Sequence, residues 1–174
     1  MVERNMDGNA KPVDFKIEEL SLYRKKKVDL YCIKSTDIVD EGRQISVPTL
    51  EGEVRLTASQ DQYIMIGPCD DIYPIPRELF ESKYRTEDIK PESRIEDQLK
   101  AIGWDTKHLK KCRLFRDSFV YAKQVDFDFA VFVKHSNATI YGKAGDYYVA
   151  SFEDPENRYV ICSRVMKETY EFVE

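Results

Sequence analysis

Cysteine is sparse and scattered. Cys32, Cys69, Cys112 and Cys162 contain no CxxC pair, which excludes a zinc-ribbon spacing. They read as reduced, mostly buried thiols in a cytoplasmic protein. There are only two histidines, His108 and His135, and no Ser-His-Asp or Cys-His set has local support. Neither GxxxxGK[ST] nor GxGxxG occurs, so no phosphate-cradling loop is expected. No apolar run approaches about 18 residues, which argues against a membrane-spanning helix. Glu3, Arg4 and Asp7 are not followed by an apolar stretch, so no secretory signal is expected, and the acceptor triplet Asn137-Ala138-Thr139 carries no meaning without export. The net charge of −5 argues against a general nucleic-acid binder but leaves room for a local basic patch.

Aromatic residues are plentiful. Eleven tyrosines and nine phenylalanines are too many for a disordered chain, so a packed fold is expected. Its plan emerges when the sequence is slid against itself by 84 residues. Arg24–Tyr31 falls over His108–Phe115, Ile45–Thr49 over Phe129–Val133, and Ser59–Met65 over Lys143–Val149. After a two-residue insertion, Tyr73-Pro74-Ile75 meets Tyr159-Val160-Ile161, and Leu79, Phe80 and Tyr84 meet Val165, Met166 and Tyr170. Strand-like and helix-like stretches recur in the same order, which predicts a duplicated unit.

Each copy reads as four or five short antiparallel strands closed by a short helix. Leu50-Glu51-Gly52 and His135-Ser136-Asn137 are the expected hairpin turns, with Gly52 and Asn137 tolerating positive φ. Pro76 suits a first helical turn, and Leu79, Phe80 and Tyr84 share one side. Between the copies, Ser93 and Glu96 fit a capping box, Ile95, Leu99 and Ile102 recur at helical spacing, and Gly103 fits the stop. The expected class is therefore α+β, with two related small antiparallel units joined by a linker helix. The blocks are a loosely ordered 1–14, a first unit 15–86, a linker 87–106 and a second unit 107–174.

These residues also carry a resemblance. Thr49-Leu50-Glu51-Gly52, Ala58, Tyr63–Gly67, and Tyr73-Pro74 through Phe80-Glu81 to Tyr84 follow a pattern seen in small phage and bacterial proteins. That pattern runs Thr-Leu-Glu-Gly, Ala-x-Pro-Gly-Asp-Tyr/Trp, then Tyr-Pro and Phe-Glu-x2-Tyr. The second copy keeps Gly145-Asp146-Tyr147 and Tyr170 but lacks the Tyr-Pro and Phe-Glu pairs, while the first lacks the Pro-Gly-Asp. The resemblance covers about forty residues of each copy. It implies a β-rich unit and a phage or bacterial setting, and it carries over no catalytic residue.

Little else offers chemistry. Cys112 and His108 would be one helical turn apart but have no third group. Asp70-Asp71 and Glu153-Asp154 sit in expected turns, and Asp126 and Asp128 alternate with Phe127 and Phe129 as on a half-wet strand. No catalytic residue, metal site or cofactor is expected. The sharpest charge features are the basic lead-ins. Lys26, Lys27 and Tyr31 in the first copy, with Lys110, Lys111 and Phe115 in the second, are the candidate binding residues. The reading is a non-catalytic interaction module that binds a protein partner through a composite surface. The alternative is a nucleotide or nucleic-acid binder, or a small enzyme, using the basic patches. Lysines guarding a sheet edge would leave the same trace.

Overall fold

The computed structural model describes residues 9–50, 52–134 and 137–174. Its first strands are β1 (Lys11–Pro12), β2 (Ser21–Lys25), β3 (Leu30–Lys34), β4 (Gln44–Thr49) and β5 (Gly52–Thr57). Then come β6 (Gln62–Ile66), β7 (Ile72–Pro76), helix α1 (Arg77–Lys83), β8 (Tyr84–Glu87) and helix α2 (Ser93–Ala101). The remainder is β9 (Lys110–Leu114), β10 (Phe119–Gln124), β11 (Phe129–Val133), β12 (Ala138–Gly142), β13 (Tyr147–Ser151), β14 (Arg158–Ile161), α3 (Ser163–Thr169) and β15 (Tyr170–Phe172). The architecture is α+β and mainly antiparallel, as the patterning implied.

The chain divides into two compact units, and their limits differ from the blocks read off the sequence. A continuous unit spans Lys27–Arg116, while a split unit joins Asp117–Glu174 to the residues before Lys27. The cause is strand pairing. β9, expected to open the second block, lies between β3 and β8 in the order β7-β6-β3-β9-β8. β2 lies between β10 and β15 in the order β14-β13-β10-β2-β15. Every neighbouring pair in these two sheets is antiparallel.

In the continuous unit, the apolar run Leu30-Tyr31-Cys32-Ile33 is buried on both faces. Alternation explains this, since successive side chains point to opposite faces. Leu30 and Cys32 pack with Met65, Ile75, Phe80, Tyr84, Cys112 and Leu114 on the side of α1. Tyr63, Phe80 and Tyr84 stack there, with ring centroids 4.4 and 5.5 Å apart. Tyr31 and Ile33 face the other way, toward Ile45 and Val47 of the β4–β5 hairpin and Ile95 and Leu99 of α2. Helix α2 is thus part of this core rather than a connector between units. Ile95 and Leu99 are buried and Gly103 ends the helix at φ +82°, as the spacing predicts. Glu92, not Ser93, occupies the N-cap, and no side chain caps the helix.

In the split unit, Phe129, Val131, Val125, Tyr148 and Val160 form a core with Val13, Phe15 and Leu20. Residues 9–14, expected to be loose, are tied down by this packing. Lys11 N and Val13 N donate to Asp128 O and Ala130 O at 3.0 Å, making β1 a parallel partner of β11. Helix α3 buries Val165, Met166 and Thr169. Asn137 takes φ +50°, while the other two residues of its expected turn, and Glu51 of the first hairpin, lie outside the described residues.

Candidate functional site

The six residues singled out from sequence do not form two equivalent patches. Lys26 follows β2 in the split unit. Its Nζ donates to Lys167 O at 3.0 Å, at the C-terminal end of α3. That placement suits the negative end of a helix dipole. Lys27 begins the continuous unit and is exposed. Lys110 and Lys111 open β9, where Tyr31 lies opposite Lys111 and Cys32 opposite Lys110. Tyr31 is only 6 % exposed and belongs to the core; burial, with the Glu92 carboxylate adding, pushes its phenol pKa up. Phe115 is exposed, and the Arg85 guanidinium stacks 3.7 Å from its ring centroid.

Lys111 is engaged within its own unit. Its Nζ lies 3.1 Å from Asp29 Oδ2, and Arg113 Nη2 donates to Asp29 Oδ1 at 2.7 Å. Arg113 also lies 3.8 Å from Glu87. These two hydrogen bonds hold the Asp29 carboxyl below the usual carboxylate range. A depressed folded-state pKa means that the stabilisation is present above the ordinary carboxylate range and is lost as pH falls through the lowered value. The pair is solvent-exposed, so its contribution is small and screened by salt. Asp29→Asn is therefore expected to lower the urea midpoint slightly at pH 7 and by less near pH 3. Equal gaps at both pH values would refute this.

The remaining sequence candidates are structural. Cys112 is fully buried on a strand, so the helical spacing to exposed His108 does not apply. Asp128 Oδ1 accepts from Ala144 N at 3.0 Å, an ordinary loop contact. All four cysteines are free thiols. His135 lies outside the described residues. Among the described residues no group of three His, Cys, Asp or Glu is placed to hold a metal ion, and no helix is long and apolar enough to cross a membrane.

A different place gathers polar groups. The split unit holds a pocket of about 550 Å³. Val13, Val131 and Phe132 supply apolar lining, and exposed Asp14, half-buried Arg158 and buried Tyr148 meet along it. Arg158 is fixed by three acceptors: its Nε donates to Pro155 O at 2.6 Å, and its Nη1 to Phe15 O at 2.6 Å and Tyr148 Oη at 2.9 Å. The Tyr148 hydroxyl donates to Asp14 Oδ1 at 3.4 Å. Burial raises the Tyr148 pKa, opposed by the nearby Arg158 charge. The Phe15 ring meets the Tyr148 ring edge-on at 5.2 Å, which locks the phenol. At the rim, Lys134 and Glu156 pair at 3.3 Å. The site offers two cations, Arg158 and Lys134, two carboxylates, Asp14 and Glu156, two hydroxyls and an exposed ring. Among the described residues it places no nucleophile beside a general base.

Sequence reasoning missed this site. Its one local signal was the alternation Val13-Asp14-Phe15, which places two apolar residues on one side and the carboxylate on the other. Exposure of the rings divides by residue type. None of the eleven tyrosines is exposed, whereas Phe115, Phe127, Phe132, Phe152 and Phe172 are. Four of those five belong to the split unit, the one that holds the pocket.

Fold and site together define an α+β protein with two five-stranded antiparallel sheets and a pocket lined by charged and apolar residues. No family model, no curated protein and no solved structure matches the chain.

Proposed function

We propose that the protein is a non-catalytic binding module that takes a segment of a partner protein at the Asp14–Tyr148–Arg158 pocket. The carrying observation is the pocket itself: its lining holds a guanidinium fixed by three acceptors, the Asp14 carboxylate and the exposed Phe132 ring. An aromatic anchor beside a fixed arginine is the composition of an interface hot spot. The mixed charges suit a peptide segment, which presents its own donors, acceptors and apolar side chains. The free thiols accord with a cytoplasmic setting, and an accessory role of phage or bacterial type belongs to the same proposal. Use of Lys111 as an anion site is disfavoured by its neutralising contact with Asp29.

The proposal includes duplication of the unit. Pairing registers support it. Tyr63 faces Ile75 as Tyr147 faces Ile161, and Tyr84 faces Leu114 as Tyr170 faces Lys25. The first pair of correspondences agrees with the sequence alignment. The second pairs Lys25 with Leu114, five residues from the partner the alignment gave it, so the two Lys-Lys pairs are not counterparts.

The test places a photo-crosslinking residue at Thr139, on the pocket wall, in the source cell. One protein species is expected to crosslink, with Phe132→Ala and Arg158→Ala each reducing its yield by about tenfold or more. Equal yields from parent and variants would overturn the site. A thermal-shift panel of nucleotides, RNA and single-stranded DNA is expected to give no salt-sensitive stabilisation; a shift that weakens with salt would favour the anion-binding reading.

A further inference from the structure

The two exchanged strands carry an inference that rests on the duplication just proposed. β2 leads into β3 through four residues, Lys26–Asp29, and β9 leads into β10 through four, Phe115–Ser118. A four-residue connection closes a β-hairpin easily. Yet neither hairpin forms. β2 pairs with β10, Tyr23 facing Val120, and β9 pairs with β3, Cys112 facing Leu30. Each half of the chain places its first strand in the sheet of the other half.

The strands do not travel alone. The segment before β2 brings Val13, Phe15 and Leu20 into the split unit's core. The segment before β9 brings Ile95, Leu99, Trp104 and Leu109 into the continuous unit's core. Each exchanged arm is therefore an apolar plug followed by a strand, about residues 9–25 in one case and 93–114 in the other.

We infer that the chain is a strand-exchanged dimer of two like halves fused end to end, and that its recognition pocket is completed only by the exchange. Swapping an identical element preserves every ladder hydrogen bond, so it has little enthalpic cost. Fusion through residues 88–92 makes the exchange intramolecular, which raises the effective concentration of each arm at its receiving sheet. The consequence falls on the pocket. Asp14, Val13 and Pro12 come from the first half's arm, while Phe132, Tyr148 and Arg158 come from the second half. Neither half holds the whole site.

The test uses the full chain with a protease site inserted between the exposed residues Ile89 and Lys90, and with Arg24→Cys and Phe119→Cys. These two positions face each other across β2 and β10. Directly opposed antiparallel residues have Cα atoms about 4.5–5.5 Å apart, within disulfide reach. After native cleavage and mild oxidation, the fragments should stay joined on a non-reducing gel and elute at the mass of one chain. Fragments that separate without reductant would overturn exchange, and a joined species at twice the mass would overturn exchange within one chain. Peptide mapping of the oxidised, uncleaved protein reads the same pairing if cleavage disturbs the fold. None of these readouts involves a partner, so a failed pocket and a failed exchange are told apart.

Discussion

Leu99→Ala is expected to lower the stability of the continuous unit by about 3 kcal/mol, within the usual range for emptying a fully buried leucine site. Leu99 has no solvent exposure, and its core neighbours come from three sources: the sheet, the hairpin and its own helix. Such a site collapses poorly, because strands tied on both sides cannot close over the gap. Its backbone carbonyl also accepts Trp104 N at 3.1 Å, so a shift of the helix end would move that ring. Trp104 is the only tryptophan, lies in the same core and is 8 % exposed. Its fluorescence therefore reports this unit. The Leu99→Ala transition in urea should move to lower denaturant when followed at Trp104. A change below about 0.5 kcal/mol, the scale of an innocuous surface substitution, would mean that α2 is not a core element.

Gly142→Ala is expected to be of similar harm, and in the split unit. Gly142 faces Phe129 across β11 and β12. A Cβ added there would lie 2.2 Å from Phe129 Cζ and 2.4 Å from Cε1. Phe129 is wholly buried, so its ring has no free space to enter. Overpacking of this kind costs about 1–3 kcal/mol and sometimes more. Far-UV circular dichroism should show an earlier transition, while the Trp104 signal keeps its parental midpoint. Phe129→Leu added to Gly142→Ala should restore part of the loss, because the shorter side chain vacates the position. A single variant as stable as the parent would show that the strand pair relaxes freely.

The local level of this fold was legible in the sequence. Ile95 and Leu99 predicted the buried side of α2, and Phe80 and Tyr84 predicted how α1 packs. These are patterns of a few residues, set by helical and strand periods. Pairing of distant strands was not legible. Nothing within Ser21–Lys25 singles out β10 as a neighbour: β3 also offers an apolar, antiparallel edge, and it alone follows after a short connection. The blocks 15–86 and 107–174 followed chain order, whereas the compact units follow hydrogen bonds. The pocket was hidden for the same reason. Asp14 lies in a polar segment with only a two-residue strand, and its partners Tyr148 and Arg158 are more than 130 residues away. The tyrosines pointed to a packed fold, and their rings do belong to the interior and its margins, while the exposed rings are phenylalanines.

The split unit also sets an order of events during synthesis. The continuous unit has all its strands once Arg116 has left the ribosome, and it can close while the rest is still being made. β2 emerges earlier than any strand of that unit, yet its neighbours β10 and β15 are both translated after that unit is complete. At about 5–20 residues per second, that arm stays without its sheet for on the order of ten seconds. Its run Arg24-Lys25-Lys26-Lys27 is then a solubilising charge on an otherwise sticky strand. Lys26 and Lys27 thereby gain a use that needs no binding partner: charge that would keep a waiting strand in solution.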